Sequence, residues 1–599
     1  MDDFAGADAL AILPLLNCLL REAVEPVVSI STDHTVHRLR ASGRLLRVRT
    51  AYRHSSPELW TGETWHLLHH ADLVDVTAQE MRAATGRSNF ALVAEAMASR
   101  AALEAILEAR AHATPPDDLW LRSEQALVMG HPCHPASKAR SGGGPPAAWL
   151  RYAPEAYARF PLILLGVRAD AVIDEGDTRA LDSLGQAPPG YRLLPAHPWQ
   201  FALTHRLPAV RTAFAEGWLI RLGTTPWRAR ATSSVRTVHV PGSPERPGSA
   251  DLFLKFSLEV QITNDIRRMR RHELRQGRRT DPLAAAAFAA MDGPAAWLSE
   301  PGYRTVRGLE ETLPVLVRDG LDEHLVPGAT AVLAAALTEG FDGNPLDRVT
   351  DPLRWWSAYL GHVVPPVLEA YARHGVAVES HLQNTLIAVD ADGDPVQALF
   401  RDTEGAKVIP ETPREAAWQR LVYCLVVNNL SEIANTLAHR FPRMAGALWP
   451  AARQEFERYD KEHGLPETTT LLAAATVPGK ANLLSRWIDA DGTEPQFVPV
   501  PNPLAATRCL PQKTACAAPG LGVIASGYPT TQQVDCTSGA ALAPPSRPFS
   551  VNAIGRQSHQ GDQAGCGVHT AIAVCGHDYH VRGCVTNCVT ITTDDHGLP

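Results

Sequence analysis

Hydrophobic and polar residues alternate almost strictly along residues 251–263, which predicts a β-strand. Apolar side chains occupy every second position, and Lys255 belongs to the polar face between them. Thr263 and Asn264 follow as candidate caps of a helix, and Arg267 falls in the first turn of that helix. A helix N-terminus beside an arginine binds anions well. The pattern therefore predicts an anion site at the end of this strand, with an ordinary half-solvated strand as the alternative.

A second patterned stretch predicts a β-hairpin. The apolar runs Thr385–Val389 and Val396–Phe400 are separated by an Asp/Gly/Pro turn, which is a hairpin signal. A hairpin brings its two open ends together. Asn384 should therefore lie beside Arg401 and Asp402.

Polar side chains cluster in sequence around both ends of this hairpin. The convergence of the two ends would gather three carboxylates, one imidazole and one amide, from Glu379, His381, Asn384, Asp402 and Glu404. Oxygen ligands of this kind suit a hydrated Mg2+ that carries nucleotide phosphates. A polar, solvated hairpin end is the alternative interpretation.

Two further segments contain candidate chemistry. Residues 231–240 are expected to form a strand with Ser234 and Arg236 on one face. The loop from Gly130 to Gly144 contains two His-Pro steps, a lysine and an arginine, and its glycines permit close approach of a ligand. Such a loop could grip carboxylates or phosphates, and a purely structural loop is the alternative.

The remaining pattern predicts a mixture of helices with shorter strands. Helices are expected at Ala7–Glu22 and Thr77–Ala113, with a strand at Leu45–Arg49 between them. Residues 281–375 are expected to be helical up to Gly375, and residues 414–504 to be rich in helix.

Composition and charge exclude several classes of protein. The chain has 599 residues and a formal net charge of −8, so neither nucleic acid nor an anionic membrane surface is an expected partner. Seven arginines lie within residues 267–279, and beyond Arg267 they are interpreted as a solvated helix face. Neither a signal peptide nor a spanning helix is evident, which predicts a cytoplasmic protein.

Cysteines are concentrated in the last part of the chain. Three lie in the first 508 residues and seven between Cys509 and Cys588. From about residue 505 the sequence lacks helical or strand periodicity, so residues 505–599 are predicted to be a disordered tail. The alternative is a zinc site drawn from Cys566, Cys575, Cys584, Cys588, His569, His577 and His580.

Several spaced motifs in a fixed order resemble the IucA/IucC family of siderophore synthetases, which work without peptide-synthetase assembly lines. The motifs are S-x-R-T from Ser234, K-x-S from Lys255, T-x-x-x-R from Thr263, E-x-H-x-Q-N from Glu379 and R-D from Arg401, preceded by G-H-P-x-H-P-x-x-K-x-R and H-P-W-Q. The resemblance extends from about residue 120 to Leu504.

The resemblance implies an α+β fold shaped like a cupped hand. Residues 1–125 would form a helical thumb, 126–365 mostly antiparallel β fingers, and 366–504 a helix-rich palm, followed by the tail 505–599. Family members use ATP and Mg2+ to adenylate a carboxylate, commonly of citrate. They pass the acyl group to a polyamine, amino acid or hydroxamate nucleophile, and a homodimer is usual.

The same resemblance implies roles for individual residues. Those expected to hold the ATP phosphates are Ser234, Arg236, Thr237 and Lys255. Those expected to stabilise charge at the reacting phosphorus are Arg267 and His381. Those expected to bind nucleotide are Asn384, Asp402 and Glu404, with Glu379, Asp402 and Glu404 as metal ligands. Those expected to seat the carboxylate are Thr263, His134 and Lys138.

The sequence departs from the family pattern at two positions, and two other functions are considered as alternatives. Asn264 stands where small residues are common, and Leu382 stands where glycine, alanine or a polar residue is usual. The first alternative is a kinase of the aminoglycoside-phosphotransferase type. Such a kinase needs an Asp base before Asn384, where only Leu382 and Gln383 follow His381. The second is an inactive homologue that binds citrate or nucleotide.

Overall fold

The computed structural model describes residues 6–27, 33–49, 56–242, 250–490 and 496–505. These residues belong to one compact unit that ends at Pro511. A second unit, Gln512–Pro599, lies outside the described residues. The predictions of disorder and of zinc ligands for the tail fall there as well.

The N-terminal part packs helices against a small antiparallel sheet. Its elements are α1 (Ala7–Glu22), β1 (Val24–Val27), β2 (His34–Leu39), β3 (Leu45–Arg49), β4 (Glu58–Trp60), β5 (Trp65–Leu67), α2 (His70–Thr85) and α3 (Phe90–Ala111). The helix predicted across Thr77–Ala113 is in fact two helices. Gly86 ends the first in a left-handed conformation, and the side chain of Asn89 caps the second.

The middle of the chain is dominated by antiparallel strands. Its elements are α4 (Leu119–Glu124), α5 (Pro146–Trp149), β6 (Arg159–Phe160), β7 (Ile163–Arg168), β8 (Val172–Gly176), α6 (Arg179–Asp182), β9 (Tyr191–Ala196), α7 (Pro198–Thr204), α8 (Pro208–Ala215), β10 (Leu219–Thr224), β11 (Ala229–Ala231), β12 (Thr237–Val240), β13 (Leu252–Phe256), β14 (Gln261–Ile262), β15 (Asp265–Ile266), α9 (Arg271–Ala289), β16 (Ala296–Leu298), β17 (Gly302–Val306), β18 (Val315–Asp319), β19 (Thr330–Leu333) and α10 (Ala334–Glu339).

The last part of the unit is mostly helical. Its elements are α11 (Pro352–His374), β20 (Val376–Ala377), β21 (Thr385–Val389), β22 (Pro395–Arg401), β23 (Lys407–Val408), α12 (Arg414–Val422), a π-helical segment (Tyr423–Leu430), α13 (Ser431–Arg440), α14 (Ala445–His463), α15 (Pro466–Ala473), β24 (Thr476–Lys480), α16 (Asn482–Trp487) and β25 (Phe497–Pro501). Short 3-10 turns lie at Leu150–Tyr152, Pro154–Ala156, Pro345–Asp347 and Pro442–Met444.

Two sheets position the candidate site. A seven-stranded sheet has the order β6-β11-β12-β13-β18-β17-β8, and a four-stranded sheet has the order β16-β22-β21-β19. In the first, Lys255 of β13 pairs with Thr237 of β12. In the second, β21 and β22 form the predicted hairpin with Thr385 opposite Phe400. The described fold is thus a mixed α+β fold, as predicted.

The prediction that residues 281–375 are helical, with Pro/Gly breaks such as Pro301-Gly302, is wrong for the middle of this range. Helix α9 ends at Ala289, and four strands follow before α10 begins. These strands are short apolar runs such as Val315–Asp319, which are buried in the sheet. A buried strand of this length has no amphipathic alternation to distinguish it from helix.

One helical stretch is long and apolar enough to cross a membrane by length and composition. It comprises α12, the π-helical segment and α13, and 72% of its most apolar window is buried inside the protein. Burial of this kind is typical of a core helix. The large core cluster around α11 includes Leu421, Leu425 and Ile433 from this stretch. The four-part division, the hand-like arrangement and the cytoplasmic location stay predictions.

Candidate active site

The predicted strand across residues 231–240 is interrupted by a turn that contains Ser234 and Arg236. Strands β11 and β12 pair antiparallel, with Arg230 opposite His239, so the residues between them form a hairpin loop. Serine and threonine favour turns because their hydroxyls bond nearby backbone. The hydroxyl of Thr237 lies 3.3 Å from that of Ser234. These side chains therefore project from a loop rather than from one strand face.

Lys255 links the two sheets through carboxylates. Its Nζ lies 2.7 Å from Oδ1 of Asp402 and 2.9 Å from Oε2 of Glu404. Arg236 NH2 donates to the same oxygen of Glu404 at 2.6 Å. Burial opposes ionisation here, but Arg236 and Lys255 lower the pKa of Glu404 to about 2. Both carboxylates are therefore ionised at neutral pH.

The backbone at Asp402 is strained, and hydrogen bonds from the next residue to Glu300 stabilise it. Its φ is +81°, a region that non-glycine residues rarely adopt. The adjacent Thr403 donates its amide and hydroxyl to Glu300, which is itself paired with the buried Arg318. Burial would raise the pKa of Asp402, but Lys255 and Arg318 hold it well below its usual range.

A buried ion pair ties the hairpin loop to the β21–β22 hairpin. Arg401 NH1 donates to Glu124 Oε1 at 2.6 Å. The other oxygen of Glu124 accepts from the amide and hydroxyl of Ser233 at 3.0 and 2.7 Å. Gln383 Nε2 also donates to the carbonyl of Ser233. The predicted adjacency of Asn384 and Arg401 is confirmed, since the Arg401 amide donates to the Asn384 carbonyl at 3.2 Å.

The predicted three-carboxylate metal cluster is not assembled. Glu379 pairs with Arg420, whereas Asp402 and Glu404 share Lys255. Among the described residues no group of three or more His, Cys, Asp or Glu could hold a metal ion. The correction has a physical reason, because an arginine outside the predicted set neutralises Glu379. The ionised pair Asp402 and Glu404 still fits Mg2+, which usually takes one or two protein carboxylates together with substrate phosphates.

His381 lies beside Glu379, with Nε2 at 3.8 Å from Oε2. Burial lowers the pKa of His381 although the nearby Glu379 opposes that change. The imidazole is therefore neutral at pH 7 and can stabilise developing charge by donating a hydrogen bond rather than as a cation. Asn384 is buried, and its side-chain amide forms no hydrogen bond with the described part of the chain.

The predicted helix start at Thr263 and Asn264 is wrong. These residues form the two-residue turn between β14 and β15, with Ile262 opposite Asp265, and the helix begins later, at Arg271. Thr263 adopts φ +59°. A local hairpin therefore replaces the helix cap, and no helix N-terminus lies beside Arg267.

Arg267 is nevertheless placed at the site. Its NH2 donates to the hydroxyl of Thr263 at 2.5 Å, and its carbonyl accepts from Arg236 at 3.3 Å. Within the described residues it pairs with no carboxylate. Burial and the neighbouring Arg236 lower the pKa of Arg267, although Glu404 and Asp265 oppose that change.

The structure does not support substrate binding by Lys138 and His134. Lys138 Nζ is buried against Glu155 Oε1 and the Leu127 carbonyl, at 2.5 Å from each. Both ring nitrogens of His134 are occupied, Nδ1 by the amide of Ala136 and Nε2 by Asn264. Both side chains hold the Gly130–Gly144 loop together, which is the structural alternative.

Lys480 is a candidate that the sequence reasoning missed. It ends β24, and its charge contributes to the lowered pKa of His131 and of His381. No hydrogen-bond partner of its ammonium occurs among the residues that the structure describes. The Gly479-Lys480 step does not complete a phosphate-loop motif, and no other local signal marks this lysine.

Comparisons with known proteins identify a family for the middle of the chain. Residues 119–339 match the model of the IucA / IucC family. This part of the chain belongs to the IucA/IucC family. Residues 353–494, which include the second half of the site, match a family described as ferric iron reductase FhuF-like transporter.

Two similar proteins and one solved structure match a larger part of the chain. The L-2,3-diaminopropanoate–citrate ligase of Staphylococcus aureus is 28% identical over 452 residues, covering 65% of this chain and 76% of that protein. The rhizobactin siderophore biosynthesis protein RhbC of Rhizobium meliloti is 28% identical over 594 residues, covering 84% and 98%. The ATP-bound aerobactin synthetase IucA of Klebsiella pneumoniae superposes with a TM-score of 0.71 at 20% identity, covering 83% and 99%.

Proposed function

We propose that this protein is an ATP-dependent ligase of siderophore biosynthesis that adenylates a carboxylate, most closely citrate or a citrate derivative. The activated acyl group would then pass to an amine or hydroxyl, giving an amide or ester with release of AMP and pyrophosphate. The similar protein of Staphylococcus aureus is an L-2,3-diaminopropanoate–citrate ligase, which supports this class of reaction.

One observation supports the proposal above the others. The guanidinium of Arg267 is half-buried and forms no ion pair with a carboxylate in the described chain, and its carbonyl accepts from the neighbouring Arg236. Arg236 and Lys255 are already neutralised by Asp402 and Glu404. A site with one excess, half-buried cation is stabilised by an incoming anion, and both ATP and a carboxylate are anions.

The first chemical step needs no general base. A carboxylate oxygen is already ionised at neutral pH and attacks the α-phosphorus, while the bond to pyrophosphate breaks. Repulsion between the anions is the main barrier, so fixed cations and hydrogen-bond donors lower it. Arg267 and the neutral His381 would serve there, with Ser234, Arg236, Thr237 and Lys255 binding the phosphates and Asn384 the nucleotide.

Asp402 and Glu404 would hold Mg2+, which neutralises phosphate charge and orients the leaving pyrophosphate when it is bound. When Mg2+ is not bound, the same two carboxylates would keep Lys255 and Arg236 in position. Thr263 would face the carboxylate substrate because its hydroxyl accepts from Arg267. Lys480 would do so because its charge acts on His381. In the second step the nucleophile attacks the acyl carbon and AMP leaves with the former carboxylate oxygen.

The kinase alternative lacks its base in the structure. Leu382 is buried and Gln383 is bonded to the Ser233 carbonyl, so neither accepts a proton. Glu379 is neutralised by Arg420. An inactive homologue would be expected to lose one of the cations, and all of them are present. A homodimer also stays a proposal.

The test is pyrophosphate release with ATP and Mg2+ in the presence of citrate, 2-oxoglutarate or a succinylated hydroxamate precursor, with hydroxylamine as nucleophile. We expect release with one class of carboxylate and formation of its hydroxamate. Measurable ATP binding without release from any carboxylate would contradict the ligase and favour the inactive homologue. Formation of ADP would favour the kinase.

A further inference from the structure

A closed ring of hydrogen bonds joins three segments that are far apart in sequence. The imidazole Nε2 of His134 lies 3.1 Å from Oδ1 of Asn264. Nδ2 of Asn264 donates to Oδ1 of Asn482, 218 residues away, at 3.2 Å. Nδ2 of Asn482 donates to the carbonyl of Cys133 at 2.6 Å. Because Cys133 directly precedes His134 in sequence, the peptide bond between them closes the ring.

The direction of every bond in this ring is determined by one backbone amide. The amide of Ala136 donates to Nδ1 of His134 at 3.1 Å, so in the neutral imidazole Nε2 carries the hydrogen. Burial, with the charges of His131 and Arg486, keeps the pKa of His134 well below its usual range. Oδ1 of Asn264 must then face the imidazole, and its Nδ2 must face Asn482. Each donor meets an acceptor around the ring.

The ring supports a hairpin that is too short to be stable alone. Strands β14 and β15 have two residues each, and isolated two-stranded hairpins are marginal in water. The turn between them also contains the left-handed Thr263, whose β-branched side chain disfavours that backbone. Outside tethers must therefore stabilise this conformation.

A second tether joins the same hairpin to α16. With its amide in the orientation that satisfies both groups, Gln261 accepts from the guanidinium of Arg486 at 2.8 and 3.0 Å. Arg486 is itself paired with Glu95 at 2.6 Å. The turn and one strand of the hairpin thus each rest on α16, whereas the other strand leads directly to Arg267.

We propose that Asn264 is a positioning residue for Arg267. By bonding His134 and Asn482, it fixes the turn whose Thr263 hydroxyl accepts from Arg267, and so holds the unpaired guanidinium at the reaction site. The catalytic part of this inference rests on the proposed function, while the structural part does not. Small residues at this position could not form either bond of the ring.

Hydrogen exchange tests the structural part without any activity. The variants are Asn264→Ala, Asn264→Ser and Asn482→Ala, and the control is Asn502→Ala, which removes a buried asparagine that bonds the Leu471 and Ala474 carbonyls instead. In the hairpin, the amide of Leu258 donates to the Arg267 carbonyl and the amide of Arg267 donates to Val260. We expect faster exchange of residues 258–267 in the three ring variants and not in the control. Unchanged exchange there would overturn the proposal.

A double-mutant comparison tests the catalytic part. We expect Asn264→Ala to lower kcat for pyrophosphate release about 10- to 100-fold with little change in KM for ATP. In an Arg267→Ala background the same substitution should cause no further loss, because the residue acts through Arg267. An equal loss in both backgrounds would overturn positioning. If the unaltered protein releases no pyrophosphate with any carboxylate, the proposed function fails while the exchange result still decides the structural part.

Discussion

The ammonium of Lys255 and the carboxylate of Asp402 form a 2.7 Å ion pair across 147 residues of sequence. Lys255 is on β13 of the seven-stranded sheet, and Asp402 follows β22 of the four-stranded sheet. The pair therefore joins the two sheets at the candidate site. It also holds one cation and one carboxylate at the position where the proposed function requires phosphates and Mg2+ to bind.

The first prediction concerns this ion pair. Lys255→Met should lower the free energy of unfolding by about 2–4 kcal/mol, because Asp402 and Glu404 would lose their shared cation in a largely buried site. ATP affinity should fall at least about tenfold, since a charge-assisted contact to phosphate is lost. Denaturant unfolding and calorimetric titration with ATP measure the two effects. The exposed Lys461→Met is the control, and unchanged ATP affinity in the Lys255 variant would contradict the assignment.

The second prediction uses two adjacent arginines with different surroundings. Arg267→Ala should reduce carboxylate-dependent pyrophosphate release by about 10²–10³-fold, which is typical when one donor to developing charge is removed. Arg268→Ala should leave the rate nearly unchanged, because Arg268 is paired with Glu259 at 2.6 Å. Steady-state kinetics of both variants provide the comparison. Similar losses in both variants would show that the rate depends on the hairpin rather than on the guanidinium of Arg267.

The third prediction concerns the close approach of Gly405 to Glu379. A Cβ at Gly405 would lie 1.8 Å from Cδ of Glu379, so Gly405→Ala must displace the carboxylate or the Asp402–Glu404 segment. We expect a large loss of activity and a lower melting temperature. Gly446→Ala is the matched control, because open space surrounds that position in α14 and alanine favours helix. A fully active Gly405→Ala protein would contradict this placement of Glu379.

The fourth prediction is a pH dependence of stability at His197. Its Nδ1 accepts from the Trp199 amide, and burial lowers its pKa to about 3. Between about pH 6.5, the unfolded value, and pH 3, the unfolded state binds more protons than the folded state. The free energy of unfolding must therefore fall as the pH falls, by up to about 1.4 kcal/mol per pH unit for this group.

His197→Asn retains an acceptor for the Trp199 amide and removes the titration. Chemical unfolding between pH 6 and pH 4 should show a flatter dependence in this variant than in the unaltered chain. The comparison isolates His197, because the other buried histidines remain in both proteins. Identical slopes would show that His197 is already protonated in the folded protein.

Local patterns predicted the parts of the site that lie close together in sequence. The runs 385–389 and 396–400 pair in the structure, and Asn384 meets Arg401 because a hairpin closes its own ends. Lys255 lies on a strand, as its alternating neighbours predict, but that strand spans only Leu252–Phe256 and is buried on both faces. These features depend on turn chemistry and strand period, which are both visible over about ten residues.

The rest depends on partners that no local pattern identifies. Thr263 and Asn264 are residue types that cap helices, yet they form a hairpin turn in which Asn264 bonds His134 and Asn482. The sequence predicts Glu379 as a metal ligand, but in the structure its carboxylate pairs with Arg420. Lys480 has no motif of its own and reaches the site because β24 packs beside the π-helical segment. Each of these outcomes is set by tertiary contacts that override a local preference.

The most direct test of carboxylate adenylation follows an oxygen atom. The protein is supplied with ATP, Mg2+, an amine and citrate that contains 18O in its carboxyl groups, and the phosphate products are examined by mass spectrometry. The account predicts AMP with one 18O per turnover, because the oxygen that attacks phosphorus leaves with AMP. ADP as the product, or AMP without the label, would contradict it.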